Sequence, residues 1–468
     1  MRRALLVTAC GLAAALSALV LHLACGPPRL AVPLRGLELS GITIVNPGEP
    51  SLPGRTLRVE GGTIAEISTV ATPTASSTYA GTHALPGLVD LHVHHPPVVA
   101  WGERELFALL FLRHGVTSVR DVGSFGGGML EHRRRVQEGT LPGPRVFACG
   151  PIVDGEPPGW PGARVARDPE EARAIVAALA QEGSDCVKVY NNLSLPAFAA
   201  LRDEAHRRGL PVVAHLPDEV PLDALRGVEL QHLMGLGTDG PWDEALKDYA
   251  ELSRRLRLEH TPTLVAFARG AELQDYTSLR NDPAAQLLPR HYRELLWNPD
   301  SNPLVAWLEP AGFGELPNRY QRMLQAVALL HARGVSILAG TDTMNPFVVP
   351  GASLHEELGH LAAAGISLPE VLEIATRRAG ERLGLEGLGI LRPGAPADLL
   401  LFRDDPTRDL RALETLEAVV ADGRLYPRAE LDEAIRRQLE YFDGPVYSTL
   451  YRAAARVLIA AVHAWDAG

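Results

Sequence analysis

Lysine is nearly missing from this chain: Lys188 and Lys247 are the two lysines among 45 basic residues, the rest being arginine. Lys188 lies in Asp185-Cys186-Val187-Lys188-Val189-Tyr190, a run that reads as a strand. A cation is costly on a buried strand unless it is paired or chemically altered. Arginine keeps its proton in proteins, whereas a desolvated lysine can lose it and react as a neutral amine. A position that needs an amine able to combine with carbon dioxide cannot use arginine. A strand lysine held in a salt bridge is the alternative.

Other scarcities exclude whole classes. There are four cysteines and no Cys-x-x-Cys pair, which argues against a thiolate zinc site. Cys149 and Cys186 fall in expected strands and read as buried thiols, with an inter-strand disulfide as the alternative in an oxidising compartment. No basic block accompanies the net charge of −11, so nucleic acid is not an expected partner. The glycine-rich run Gly123–Gly128 lacks a Gly-Lys-Ser/Thr ending and is no phosphate loop.

What is present begins with Arg2 and Arg3, an apolar run from Ala4 to Leu23, and then Ala24-Cys25-Gly26. A charged start, an apolar stretch and small residues describe an export signal over 1–28, and the run is also long enough to stay as a membrane anchor. Cys25 stands where a bacterial lipoprotein carries its lipid, although His22 departs from the usual aliphatic residue. Both readings place the bulk of the chain outside the cytoplasm, on the periplasmic or cell-surface side, tethered to a membrane.

A β-rich stretch follows, with a hairpin expected around Gly61-Gly62. From Leu85 short apolar runs alternate with helical stretches. Eight strands are expected: Leu88–His94, Thr117–Val122, Arg145–Gly150, Cys186–Tyr190, Val212–His215, Glu229–Leu233, Thr261–Val265 and Ser336–Thr341. Repeated strand–helix alternation argues for an α/β fold, a (β/α)8 TIM-like barrel. The expected division is 1–28 as signal or anchor, 35–84 with 386–428 as one small β-sandwich domain formed by both chain ends, 85–385 as the barrel, and 429–468 as a helical extension. Within that extension Val446–Trp465 is apolar but carries Arg452 and Arg456, which argues against a transmembrane helix. A packed helix is expected, and an interfacial one is the alternative.

Chemistry in such barrels sits at the C-terminal strand ends. Residues two apart on a strand share a face, so His92 and His94 point the same way from strand 1. Strand 4 supplies Lys188, strand 5 His215, strand 6 His232 and strand 8 Asp342. Four imidazoles, one carboxylate and one lysine thus converge on one rim, a donor set suited to divalent metal. His95 reads as a loop residue, and His114, His206 and His331 as surface or packing residues. His355 begins the helix after strand 8 and is a candidate to line the site. Tyr190 shares a face with Lys188 and is a candidate substrate contact. The long segment 266–320, rich in aromatics and arginine, is expected to help choose the substrate.

These motifs, with Gly115–Gly123, Val187-Lys188-Val189-Tyr190, Gly340-Thr341-Asp342 and Gly394–Leu401, resemble the amidohydrolase superfamily in its two-metal form. The likeness extends from about Leu37 to about Glu430, and within the superfamily it points to the imidazolonepropionase-like and Xaa-Pro dipeptidase-like group. The resemblance implies that His92, His94 and Asp342 hold one divalent ion, zinc by ligand preference, and His215 and His232 a second. It implies a carbon-dioxide-derived carbamate on Lys188 bridging the two with a hydroxide, and Asp342 as the catalytic proton carrier. The activity implied is hydrolysis of a C–N amide bond in a small molecule, an Xaa-Pro dipeptide or N-acyl amino acid. The alternatives are a one-metal cyclic amidohydrolase or deaminase with a structural Lys188, and a non-catalytic binding lipoprotein on the same barrel. Phosphotriester or lactone cleavage fits the same metals, and homo-oligomerisation stays open.

Overall fold

A computed structural model describes residues 26–69, 78–97, 100, 102–124, 127–236, 242–302, 305 and 315–466. Cys25 and the apolar run before it lie outside these residues.

Eight short strands form the barrel: strand 1 (Leu88–Val93), 2 (Val116–Asp121), 3 (Arg145–Ala148), 4 (Val187–Val189), 5 (Val212–Ala214), 6 (Glu229–Gln231), 7 (Glu259–Thr261) and 8 (Ser336–Ile337). Strands 1–3 pair in parallel, as do strands 4–8. Strands 1, 2, 4, 5 and 6 are buried along their whole length, because helices cover the outside and side chains fill the inside. Two seams close the cylinder. At one, Leu91 N donates to Ala339 O at 3.0 Å, and buried Asp90 accepts from Thr341 N and, at 2.7 Å, from Thr341 Oγ1. At the other, Asp185 N donates to Ala148 O at 2.8 Å, and Cys149 and Cys186 are joined as a disulfide. The expectation of free thiols is therefore corrected: adjacent strands bring the two sulfurs together.

Strand 7 also differs from expectation, ending at Thr261 instead of beginning there. Pro262 offers no N–H to a ladder, Thr263 turns to φ 53, and the helix Leu264–Glu272 starts at once. Between strands 3 and 4 lie two further pieces, Val153–Asp154 and Arg164–Val165, in a proline-rich segment whose two-residue strands show no periodicity.

The helices follow local rules. Pro169–Glu182, for example, starts at Asp168, whose carboxylate accepts from Glu170 N and Glu171 N, and stops at Gly183 with φ 87.

Both chain ends build a second, seven-stranded sheet in the order Arg424–Pro427, Leu416–Ala421, Leu399–Phe402, His83–Pro86, Leu37–Ile44, Leu52–Glu60, Thr63–Thr69. The last two strands form the hairpin at Gly61-Gly62, both glycines lying at positive φ. The sheet curls on itself, its outer hairpin turns folding back: Gly36 N donates to Gly423 O and Ala397 N to Gly62 O. Leu39, Ile42, Leu57, Val59, Ile64, Leu399 and Leu401 fill its interior. Two helices, Arg428–Phe442 and Pro445–Asp466, complete the chain. Among the described residues no helix is long and apolar enough to cross a membrane.

Candidate active site

His92 and His94 leave strand 1 toward the barrel mouth and meet Asp342 from the loop after strand 8. Their Nε2 atoms each lie 3.3 Å from Asp342 Oδ1, and His92, His94 and Asp342 form a group able to hold one metal ion. The fit depends on Gly340, where a Cβ would lie 2.7 Å from His92 Cβ and 2.6 Å from Thr261 Cγ2. His232 joins them, its ring 4.7 Å from His92 and 4.8 Å from His215. His232 and Asp342 both sit in the left-handed region, at φ 58 and φ 62. Side chains other than glycine rarely adopt it, and such strain gathers at functional sites.

Each of the four imidazoles has Nδ1 committed elsewhere. His92 Nδ1 faces Gln231 Oε1 at 2.5 Å, His94 Nδ1 faces Gly123 O at 3.2 Å, and His215 Nδ1 faces Asn191 Oδ1 at 3.0 Å. His232 Nδ1 faces Thr263 Oγ1 at 2.7 Å, while the Thr263 hydroxyl donates to Pro262 O. All four partners are acceptors in these bonds, so Nδ1 carries the hydrogen and Nε2 keeps its lone pair. Burial pushes the His92 imidazole down to about 4 and those of His215 and His232 well below the usual histidine range. Neutral rings with a free Nε2 are the ligand form.

Lys188 points into the same barrel interior. Its side chain is 1 % exposed, and among the described residues Nζ has no hydrogen-bond partner. Burial pushes its amine down to about 7, against the pull of the Asp342 carboxylate. Among the described residues Lys188 makes no salt bridge, and Glu229 nearby is already taken: it pairs through both oxygens with Arg120, and Oε2 also accepts from Arg382 at 3.0 Å. An orphaned, neutralisable amine beside lone-pair imidazoles and an ionised carboxylate fits a carbamate-bridged metal pair.

The wall of the site is aromatic. The Tyr190 ring lies 4.3 Å from the His215 ring and 6.3 Å from Trp160. Phe267 faces His232 edge-on at 6.3 Å and carries the Arg319 guanidinium 4.6 Å over its outer face. His355 is not gathered with these residues; its Nε2 donates to His114 O at 2.8 Å, between two helices. His95 is more than a loop residue: it is buried, with Nδ1 2.9 Å from Asp121 Oδ2. Gln231, Asn191 and Thr263, which orient the imidazoles, escape a reading of the sequence. The available signal is that Gln231 shares an inward strand face with Glu229.

The model of the family described as the amidohydrolase family matches residues 83–426. A solved bottromycin amidohydrolase is 27% identical, with a TM-score of 0.71 over 90% of this chain and 93% of that one. A Xaa-Pro dipeptidase solved with methionine in its active site is 20% identical and shares the fold, with a TM-score of 0.64 over 84% of this chain and 100% of that one. Adenine deaminase 2 of Rhizobium meliloti is 27% identical over 74% of this chain and 49% of its own length.

Proposed function

This chain belongs to the amidohydrolase family, and we propose that within it the protein is a two-metal hydrolase of amide C–N bonds, with Xaa-Pro dipeptides or N-acyl amino acids as favoured substrates. The observation that carries this reading is the unpartnered, buried Lys188 amine beside His92, His94 and Asp342. In this reading His92, His94 and Asp342 hold one divalent ion and His215 and His232 a second. The neutral Lys188 amine could combine with carbon dioxide and lose a proton, and as a carbamate it would add an anionic oxygen donor to the residues that would hold the ions. Imidazole and carboxylate donors suit zinc.

When bound, the metal pair supplies a Lewis acid for the substrate carbonyl and lowers the pKa of a water. The chain's own residues do the rest. Gln231, Gly123, Asn191 and Thr263 hold the imidazoles in one tautomer. Asp342 takes the proton of the attacking water and passes it to the leaving nitrogen. Tyr190, on the wall beside His215, contacts the substrate.

A second reading, a one-metal deaminase or cyclic amidohydrolase, is favoured by the likeness to adenine deaminase 2. In both readings the protein is exported and held at a membrane, either by the apolar run 4–23 kept as an anchor or by a lipid on Cys25.

The test is a panel of Xaa-Pro dipeptides, N-acyl amino acids, cyclic amides and adenine, with Asp342→Asn as control. Amide cleavage that falls about 10²–10⁴-fold in D342N is expected. Turnover confined to adenine or cyclic amides would overturn the first reading for the second.

A further inference from the structure

The described residues start at the catalytic rim, although the sheet they feed lies at the other end of the barrel. Pro27 is buried against Gly102, where a Cβ would lie 2.6 Å from Pro27 Cγ and 3.6 Å from Phe442 Cζ. Gly102 is the N-cap of the helix Glu103–Arg113, which descends to feed strand 2. Arg104 fixes that upper end, donating to Pro96 O at 2.7 Å and Gly127 O at 2.6 Å in the loops after strands 1 and 2. From Pro27 the chain runs down the barrel wall. Pro28 O accepts from Gln438 Nε2 at 3.1 Å, Arg29 pairs with Glu105 at 3.0 Å, and Gly36 reaches Gly423 of the curled sheet.

The C-terminus climbs to the same rim. The helix Arg428–Phe442 runs antiparallel to Glu103–Arg113, with Arg113 and Asp432 paired at the low end and Phe442 beside Gly102 at the high end. Pro445–Asp466 then crosses the rim. Tyr447 and Tyr292 hydroxyls both donate to buried Glu103 at 2.7 Å, and Tyr451 stacks on His291 at 3.9 Å. Tyr292 and His291 belong to the insert after strand 7, so this helix lies on the side from which substrate enters. Tyr447, Tyr451 and Ala455 form its inward stripe, while Thr449, Ala453, Ala454, Arg456, Val457 and Ala460 face outward, Val457 with 71 % of its surface exposed. An apolar outer face with an arginine suits a helix lying in a membrane interface.

We propose that the catalytic rim faces a lipid bilayer, and that the site draws from it an amphiphilic amide whose acyl chain stays among the lipids. The occupant follows from the sequence that precedes the described residues. In sequence, three residues, 24–26, separate the end of the apolar run at Leu23 from buried Pro27. Three extended residues span about 10 Å. A run inserted in the bilayer, or a lipid on Cys25, therefore holds the rim against the headgroups. Of the two substrate classes proposed above, N-acyl amino acids gain from this placement and water-soluble dipeptides do not. The substrate half rests on the amide-hydrolase reading, and the orientation half on the membrane tether proposed beside it.

The test uses the full chain in phosphatidylcholine–phosphatidylglycerol vesicles, with Cys10→Ala and Cys25→Ala so that one introduced thiol carries a polarity-sensitive fluorophore. The label goes at Val457→Cys on the rim or Arg403→Cys on the exposed far sheet. Quenching by bromine-bearing lipid at 457 and none at 403 is expected; equal quenching, none at either position, or a chain that does not bind vesicles would overturn the proposal. A second arm compares vesicle-borne long-chain and soluble short-chain N-acyl amino acids. Val457→Asp should lower the long-to-short ratio of kcat/KM about tenfold, as an interfacial contact would, and an unchanged ratio would sink delivery from the bilayer. Quenching at 457 alone in a chain that cleaves no amide would retire the amide-hydrolase reading and leave the orientation standing.

Discussion

Gln231 accepts a hydrogen bond from His92 Nδ1 at 2.5 Å and donates from Nε2 to Glu229 at 2.9 Å. One amide thus links a proposed metal ligand to the charged floor of the barrel. The direction of both bonds is fixed, because the carboxylate can only accept. The consequence is a single His92 tautomer with Nε2 turned toward Asp342.

Gln231→Leu keeps the size of the side chain and removes the acceptor. Metal affinity should fall about 10–100-fold, the usual effect of losing a partner that orients a ligand. Competition with a chelator measures it. Unchanged affinity would mean that packing alone orients His92.

Glu229 is the anion of that floor. Burial would raise its carboxyl, but Arg120 and Arg382 hold it well below the usual carboxylate range. Glu229→Gln leaves Arg120, 2 % exposed, without its acid, while Arg382 keeps Glu259 at 2.8 Å. Breaking a buried pair from one side costs about 3–5 kcal/mol. Urea unfolding of the metal-free chain should show a loss of that size, whereas a loss near zero would show the arginines finding other partners.

Lys188 gives a pH dependence. Its amine is pushed down to about 7 from an ordinary 10.5. Above the lowered value the amine is neutral and open to carbon dioxide; below it, protonated and inert. Between the two values the unfolded chain binds the extra proton, so the metal-free fold gains stability as pH rises through that window. Bicarbonate-dependent zinc uptake by the stripped chain should therefore rise through about pH 7. A flat profile across that range would detach metal loading from Lys188.

The barrel was legible because strand–helix alternation repeats along the chain, and the rim because strand ends place His92, His94, Lys188, His215, His232 and Asp342 in register. What was not legible depends on contacts between distant residues. The seam that pairs Cys149 with Cys186 requires knowing that strands 3 and 4 are neighbours. Arg120 and Glu229 are 109 positions apart and meet inside the barrel. The shift of strand 7 was readable in principle, since Pro262 interrupts the expected run. His355 faces His114 because its helix approaches the end of Glu103–Arg113, a packing that helical position alone does not give.

The central claim is a metal pair bridged through Lys188, and metal content per chain tests it most directly. Elemental analysis of the full chain reconstituted with zinc and bicarbonate should give close to two ions, and Lys188→Ala and Lys188→Arg should lose the second ion alike, because neither side chain can form a carbamate. Two ions retained in Lys188→Arg, or a single ion in the unaltered chain, would contradict it.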